Sequence, residues 1–254
     1  MNSRVILVSD DRSSLRSPDT LLWPDAACMR GIHTGEWTAH IFEYTMSFEG
    51  NMTQVRELAA ANGVGVLHPH GALATDPPGL IVCDVDSTVT RTEAIDLLAE
   101  CAGKADEVRE ITARAMVGEL DFTQSLYARI RCLEGLHIGA LEEAWKATVI
   151  TPGTAELVAA AHDVGAAVGL VSGGFTAVVD PLAEQIGADF AASNELEIVD
   201  NHLTGRVVGD IIDRAAKATW LRRWASERGV ALERTIALGD GANDLDMFAI
   251  AGLP

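Results

Sequence analysis

The chain has 254 residues, enough for one large α/β domain or for such a domain with a small companion. Apolar residues make up 48 % and charged residues 22 %, which excludes a chain that is disordered throughout. Thirty-seven acids against nineteen bases leave a net charge of −18, a field that repels nucleic-acid backbones and anionic membranes and attracts cations, although an acidic surface also serves solubility.

The opening, MNSRVILVSDDRSS, holds an apolar run too short for a secretory signal, and no later stretch reaches the roughly 18 apolar residues of a membrane span. Val5 to Val8 reads as a short strand, Glu36 to Phe48 as a longer one, Met52 to Ala61 as a helix and Val64 to Leu67 as another strand. Residues 1–68 are therefore expected to form a small α+β domain. The segment HPHGALATDPPG, with Pro69, Pro77 and Pro78, interrupts both strand and helix patterns, so residues 69–79 read as a linker. Residues 80–254 read as the main domain, with a helical insertion over about 93–150.

In that domain Leu80 to Cys83 is a wholly apolar strand, followed by helical pattern from Glu93 to about Thr148. A βα alternation then resumes: helix Ala155 to His162, strand Ala167 to Val171, helix Ala177 to Ile186, strand Asp189 to Ala192. Glu195 to Val199 and Leu203 to Val208 flank Asp200-Asn201 as a hairpin, and helix Ala215 to Glu227 leads to strand Thr235 to Leu238. This predicts an α/β fold with a doubly wound parallel sheet. The four cysteines, Cys28, Cys83, Cys101 and Cys132, form no CxxC pair and have no histidines at zinc-ligand spacing, as expected of a reduced, cytoplasmic setting.

Three apolar strands end in polar clusters: Asp84-Val-Asp86-Ser-Thr88, Ser172-Gly-Gly174 and Gly239-Asp-Gly-Ala-Asn-Asp244. The carboxyl edge of an open α/β sheet is where ligands bind. If these strands are neighbours, Asp84, Asp86, Asp240 and Asp244 converge with Ser172. Carboxylates crowded in this way repel unless a cation sits among them, and hard oxygen donors suit magnesium, which also holds phosphate oxygens. Two acids one residue apart at a strand exit can take different roles, Asp84 as nucleophile and Asp86 as acid and base. Ser172, the backbone N–H groups around Gly173, and Lys217 are candidates to neutralise phosphoryl oxygens. A lone DxD in so acidic a chain is ordinarily a solvated turn, and Ser-Gly-Gly an ordinary loop; their occurrence together at three strand ends argues for metal-assisted phosphoryl transfer. His68 and His70 have no third ligand nearby, and Trp220 and Trp224, four residues apart, read as packing.

The segments DVDSTVTRTEAIDLLAE, ITARAMVGELDFTQSLYARI, TPGTAELV, VSGGF, ASNELEIVDNHLTGRVVGD and ALGDGANDLDM closely resemble, in order and spacing, the phosphoserine phosphatases of the haloacid dehalogenase (HAD) superfamily, over about Leu80 to Gly252. The resemblance implies a HAD-type sheet with a helical cap inserted after the first strand. It also implies hydrolysis of O-phospho-L-serine to L-serine and phosphate, the last step of L-serine biosynthesis, through a phosphorylated Asp84 with Asp86 as acid/base. Mg²⁺ is then held by the Asp84 carboxylate, the Asp86 main-chain carbonyl and Asp240, with Asp244 and Asn243 in support. Ser172, Gly173 and Lys217 resemble the phosphate binders, Glu93 the group that receives the substrate ammonium, and Arg129 the one that receives its carboxylate, with Met116 and Phe122 lining the cap. A zwitterion needs one fixed acid and one fork of N–H donors, so the assignment is chemically coherent.

The same resemblance implies a further strand and helix after the equivalent of Gly252, so the chain reads as short at its carboxyl end, with the strand ending at Leu238 at a sheet edge. The amino-terminal unit weakly resembles ACT-like regulatory domains; the plainer expectation is a packing or dimerisation module, with a homodimer as the assembly. Rival readings are another HAD phosphatase, a phosphotransferase with an acceptor such as homoserine, and an inert amino-acid-binding fragment.

Overall fold

A computed structural model describes residues 3–9, 28–33, 38–44 and 52–254. The chain divides into two compact units at the Pro77–Pro78 pair.

In the first unit, strands β1 (Ser3–Ser9), β2 (Cys28–His33), β3 (Thr38–Tyr44) and β4 (Gly65–Leu67) form an antiparallel sheet of order β2-β3-β1-β4, with helix α1 (Met52–Ala61) between β3 and β4. Strand alternation turns Val5 and Leu7 inward, where they meet Ala59 and Val64 in a small core. Two expectations are adjusted. The strand read over Glu36 to Phe48 is described only as Thr38–Tyr44, its remaining residues lying outside the described ones. Its partner β2 was not foreseen, because CMRGIH alternates neither apolar with polar nor small with branched residues. In the segment expected as a linker, Gly71–Ala74 makes a 3₁₀ turn that buries Leu73 and Ala74.

The second unit is built on a five-stranded sheet of order β8-β7-β6-β5-β9, comprising β5 (Leu80–Cys83), β6 (Ala167–Phe175), β7 (Phe190–Val199), β8 (His202–Val208) and β9 (Thr235–Leu238). All neighbours are parallel except the β7–β8 hairpin. Alternation along β5 shows why its sequence is apolar throughout. Ile81 and Cys83 face a core shared with α6 (Thr154–Asp163) and α7 (Thr176–Ile186), while Leu80 and Val82 face one shared with α8 (Arg214–Glu227) and α9 (Leu245–Phe248). Each fully buried aliphatic side chain contributes about 2 kcal/mol by leaving water. Chain order reverses at β5, with β6 on one side and β9 on the other, so a topological switch point lies beside the carboxyl end of β5.

Between β5 and β6 run four helices, α2 (Ala94–Cys101), α3 (Ala105–Met116), α4 (Phe122–Arg131) and α5 (Gly139–Ala147). Leu98, Val108, Leu126, Ile130 and Leu133 form their core, joined by Phe175, Val178, Leu196 and Leu203 from the sheet and α7. This is the inserted helical cap. The strands read separately as Asp189 to Ala192 and Glu195 to Val199 are one strand, β7, which pairs first with β6 and then with β8; polar Ser193-Asn194 breaks the apolar pattern but not the backbone. The expected turn is present, with left-handed Asp200 (φ 50°) and Asn201 (φ 61°), as a type I′ hairpin requires.

Candidate active site

Three strand ends and the cap helices α2 and α4 surround a cavity of about 310 Å³, lined by Asp84, Asp86, Glu93, Phe122, Arg129, Gly173, Asp240 and Asn243 among others. The parallel ladder carries one step beyond β5, the Asp84 N–H donating to the Leu238 carbonyl at 2.8 Å. The chain then turns sharply. Ser87, not a glycine, sits in the left-handed region (φ 57°), a conformation that costs about 1 kcal/mol or more and persists where surrounding contacts impose it. One such contact is its hydroxyl, which donates to Glu93 Oε1 at 2.6 Å.

Asp84 is buried. Its Oδ1 accepts from the Val85 N–H at 2.7 Å and its Oδ2 pairs with Lys217 Nζ at 2.7 Å, with Asn243 Nδ2 at 3.4 Å. Lys217, 1 % exposed, also pairs with Asp244 Oδ1 at 2.8 Å, and Asp244 Oδ2 accepts from the Gly241 N–H. Lys217 points inward because it shares the buried face of α8 with Leu221 and Trp224, and Asp213 caps the helix's first turn, accepting from the Ala216 N–H at 2.8 Å. A side chain at Gly239 would collide with Asp244, which is why glycine precedes Asp240. Asp86 is held differently: Oδ1 accepts from the Ala94 N–H at 2.9 Å, at the start of the cap, and Oδ2 from the Ser172 hydroxyl at 3.0 Å. Gly174 donates its N–H to Ser172 Oγ at 2.7 Å, and a Cβ on Gly174 would stand 2.7 Å from Asp86 Oδ2.

Burial raises Asp84 to about 7 and Asp244 adds to the rise, against the opposing pull of Lys217. Asp86 is also raised by burial, with the Ala94 and Ser172 hydrogen bonds opposing. One lysine among Asp84, Asp240 and Asp244 leaves negative charge uncompensated. These three carboxylates each place an oxygen within 4.8 Å of the others. An all-oxygen, net-negative donor set fits a hard divalent cation, whose charge would restore Asp84 to its anionic form.

At the far end of the cavity, a capping box starts α4, Asp121 Oδ1 accepting from the Gln124 N–H and Gln124 Oε1 from the Asp121 N–H. Phe122, Leu126 and Arg129 then fall on one helical face and line the cavity together. Burial lowers Arg129 somewhat, with Glu93, Asp96 and Asp86 pulling the other way. Glu93 is raised by burial against the Ser87 hydrogen bond.

Of the residues expected at the site, Asp84, Asp86, Glu93, Phe122, Arg129, Gly173, Asp240 and Asn243 line the cavity, and Ser172, Lys217 and Asp244 stand buried behind it. Met116 does not join them; it ends α3 and is 84 % exposed. Sequence reasoning passed over Ser87, Thr88, whose hydroxyl lies 3.5 Å from Asp240 Oδ1, and Asn194. All three sit inside the motif segments, but nothing in a linear pattern says which polar side chain points where. His68 and His70, in the first unit, stand with ring centroids 6.0 Å apart, and Trp224 is buried between Phe190 and Trp220 as packing.

Residues 81–249 match the family model of haloacid dehalogenase-like hydrolases. The chain is 52 % identical over 195 residues to a phosphoserine phosphatase of Streptomyces coelicolor, an alignment covering 77 % of this chain and 48 % of that one, so it spans about half the length of this relative. It is 49 % identical over 175 residues to the phosphoserine phosphatase of Streptococcus thermophilus, covering 69 % of this chain and 81 % of that one. A crystal structure of a probable phosphoserine phosphatase from Vibrio cholerae, in unliganded form, superposes with a TM-score of 0.79 at 35 % identity, over 98 % of this chain and 76 % of that one. With the family model covering most of the chain and the acid-lined switch point in place, the chain belongs to the haloacid dehalogenase-like hydrolase family, among relatives that bear the name phosphoserine phosphatase.

Proposed function

We propose that this chain hydrolyses O-phospho-L-serine to L-serine and inorganic phosphate. The observation that carries the reading is one cavity with the carboxylates Asp84, Asp86 and Asp240 at one end and an acid and a guanidinium, Glu93 and Arg129, at the other. Its volume suits a small zwitterion. The names of the relatives point the same way.

In this mechanism the Asp84 carboxylate attacks phosphorus and the bond to the serine oxygen breaks, giving an aspartyl-phosphate. Asp86 donates its proton to the departing serine oxygen; burial raises its affinity for a proton, which favours the acid form that this step needs. Asp86, now a carboxylate, then takes a proton from water, whose oxygen attacks phosphorus and restores Asp84. Lys217 holds Asp84 in place and, with the Gly173 N–H group, neutralises the phosphoryl oxygens, the Ser172 hydroxyl turning from Asp86 Oδ2 toward them when substrate binds. Asp84, Asp240 and the Asp86 carbonyl would hold Mg²⁺, with Asp244 and Asn243 in support; when bound it supplies positive charge against the phosphoryl group. Glu93 receives the substrate ammonium and Arg129 its carboxylate, while Phe122 covers the apolar flank. No described helix is long and apolar enough to cross a membrane, and a cytoplasmic enzyme acting as a homodimer through its amino-terminal unit completes the reading.

The test is phosphate release from O-phospho-L-serine with Mg²⁺. Turnover should vanish with EDTA and fall by about four orders of magnitude or more in Asp84→Asn. A folded Asp84→Asn variant that keeps its rate would sink the assignment of the nucleophile.

A further inference from the structure

We propose that Asn194 is a positioning residue that sets the phosphate-binding turn, an inference that rests on the phosphatase reading above. The ladder between β6 and β7 pairs Val171 with Ala192 and next pairs Phe175 with Asn194. Four steps along β6 are thus matched by two along β7, and Ser172, Gly173 and Gly174 bulge out of the sheet toward the cavity. A bulge strips backbone groups of their ladder partners, and each one left unpaired in a buried place costs about 1 to 3 kcal/mol.

Asn194 answers that need with one planar amide. It is 2 % exposed, its Nδ2 donates to the Gly173 carbonyl at 2.8 Å, and its Oδ1 accepts from the Ile212 N–H at 2.8 Å. Ile212 is itself buried and immediately precedes Asp213, the cap of α8, one turn before Lys217. The side chain therefore clamps together the two elements that carry the phosphoryl-neutralising groups, the Gly173 turn and the Lys217 helix. Only a group with a donor and an acceptor in a fixed fork makes both bonds: aspartate keeps the shape but turns an acceptor toward the Gly173 carbonyl, and alanine makes neither bond. Asn194 acts through Gly173 and Lys217, and no contact of its own with the substrate is invoked.

The experiment uses the full chain with Mg²⁺ and inorganic phosphate as the probe, following backbone amide resonances in the native protein, Asn194→Ala and Asn194→Asp. In the native protein phosphate should shift the Gly173 and Gly174 signals together with those of Gly241 and Asn243. In folded variants the Gly173 response should disappear while Gly241 and Asn243 still respond, phosphate affinity should fall at least about 10-fold, and kcat on O-phospho-L-serine should drop by about 100-fold, the cost of a misplacement near 1 Å. Variants that bind phosphate as tightly as the native chain with the Gly173 response unchanged would overturn the inference. So would the failure of both variants to fold, which would assign Asn194 to holding the sheet together. Because phosphate probes the turn whichever phosphomonoester is the substrate, an inactive native chain that binds phosphate would count against the substrate reading alone.

Discussion

The two ends of the cavity are built on opposite principles. At the sheet end, Asp84, Lys217 and Asp244 are nearly inaccessible to water, lie on three separate elements and are cross-linked by ion pairs of 2.7 and 2.8 Å. At the cap end, Glu93 and Arg129 are only partly buried, and the hydrogen bonds that hold them, from Ser87 and to the Ser125 carbonyl, are local in the chain. On the function proposed above, the charge that would react with any phosphomonoester is held rigidly by tertiary contacts, and the charge that would tell one substrate from another sits on an inserted element able to change without disturbing the sheet.

The sharpest test of this contrast is Lys217→Met. It leaves two buried carboxylates without their cation, and breaking a buried pair in this way costs about 3 to 5 kcal/mol. The denaturant midpoint of metal-free protein should therefore fall clearly, and a loss below about 1 kcal/mol would break the picture of a rigid sheet end. Arg129→Ala should leave stability nearly intact but raise KM for O-phospho-L-serine by about 10- to 100-fold, the worth of a charged hydrogen-bonded contact. Against phosphoethanolamine, which lacks the carboxylate, the same variant should behave like the native chain; an equal loss on both substrates would remove Arg129 from its specificity role. The smallest effect belongs to Met116→Ala. So exposed a side chain should contribute within about 0.5 kcal/mol to stability and leave kcat/KM nearly unchanged, whereas a large loss of activity would mean that the cap brings Met116 against the substrate during turnover.

Much of the second unit was legible in the chain. Apolar runs that must be buried on both faces, each ending in a polar cluster, announce parallel strands and a ligand edge, whereas the switch point beside β5 came only with the strand order. The first unit was less legible, since β2 carries no periodic signal and draws its place from pairing with β3. Asn194 shows the limit for the site. Ser193-Asn194 reads as a break between strands, because a polar residue in an apolar run looks like a turn, yet the Asn194 side chain takes up the Gly173 carbonyl of the bulge and ties it to the Ile212 N–H.

The sequence by itself determined which chemistry the protein can carry: an acid pair at one strand exit, a second acid cluster at another, a Ser-Gly-Gly turn at a third and one lysine on a helix. These are local arrangements of covalent neighbours, and strand period and loop position suffice to infer them. Only the tertiary structure decided that Lys217 bridges Asp84 and Asp244, that Asp86 is held by the first residue of the cap, and that Met116 stands away from the cavity. Such partnerships join residues far apart in the chain, and they are set by sheet order and by which face of each helix is buried, quantities no short stretch of sequence contains.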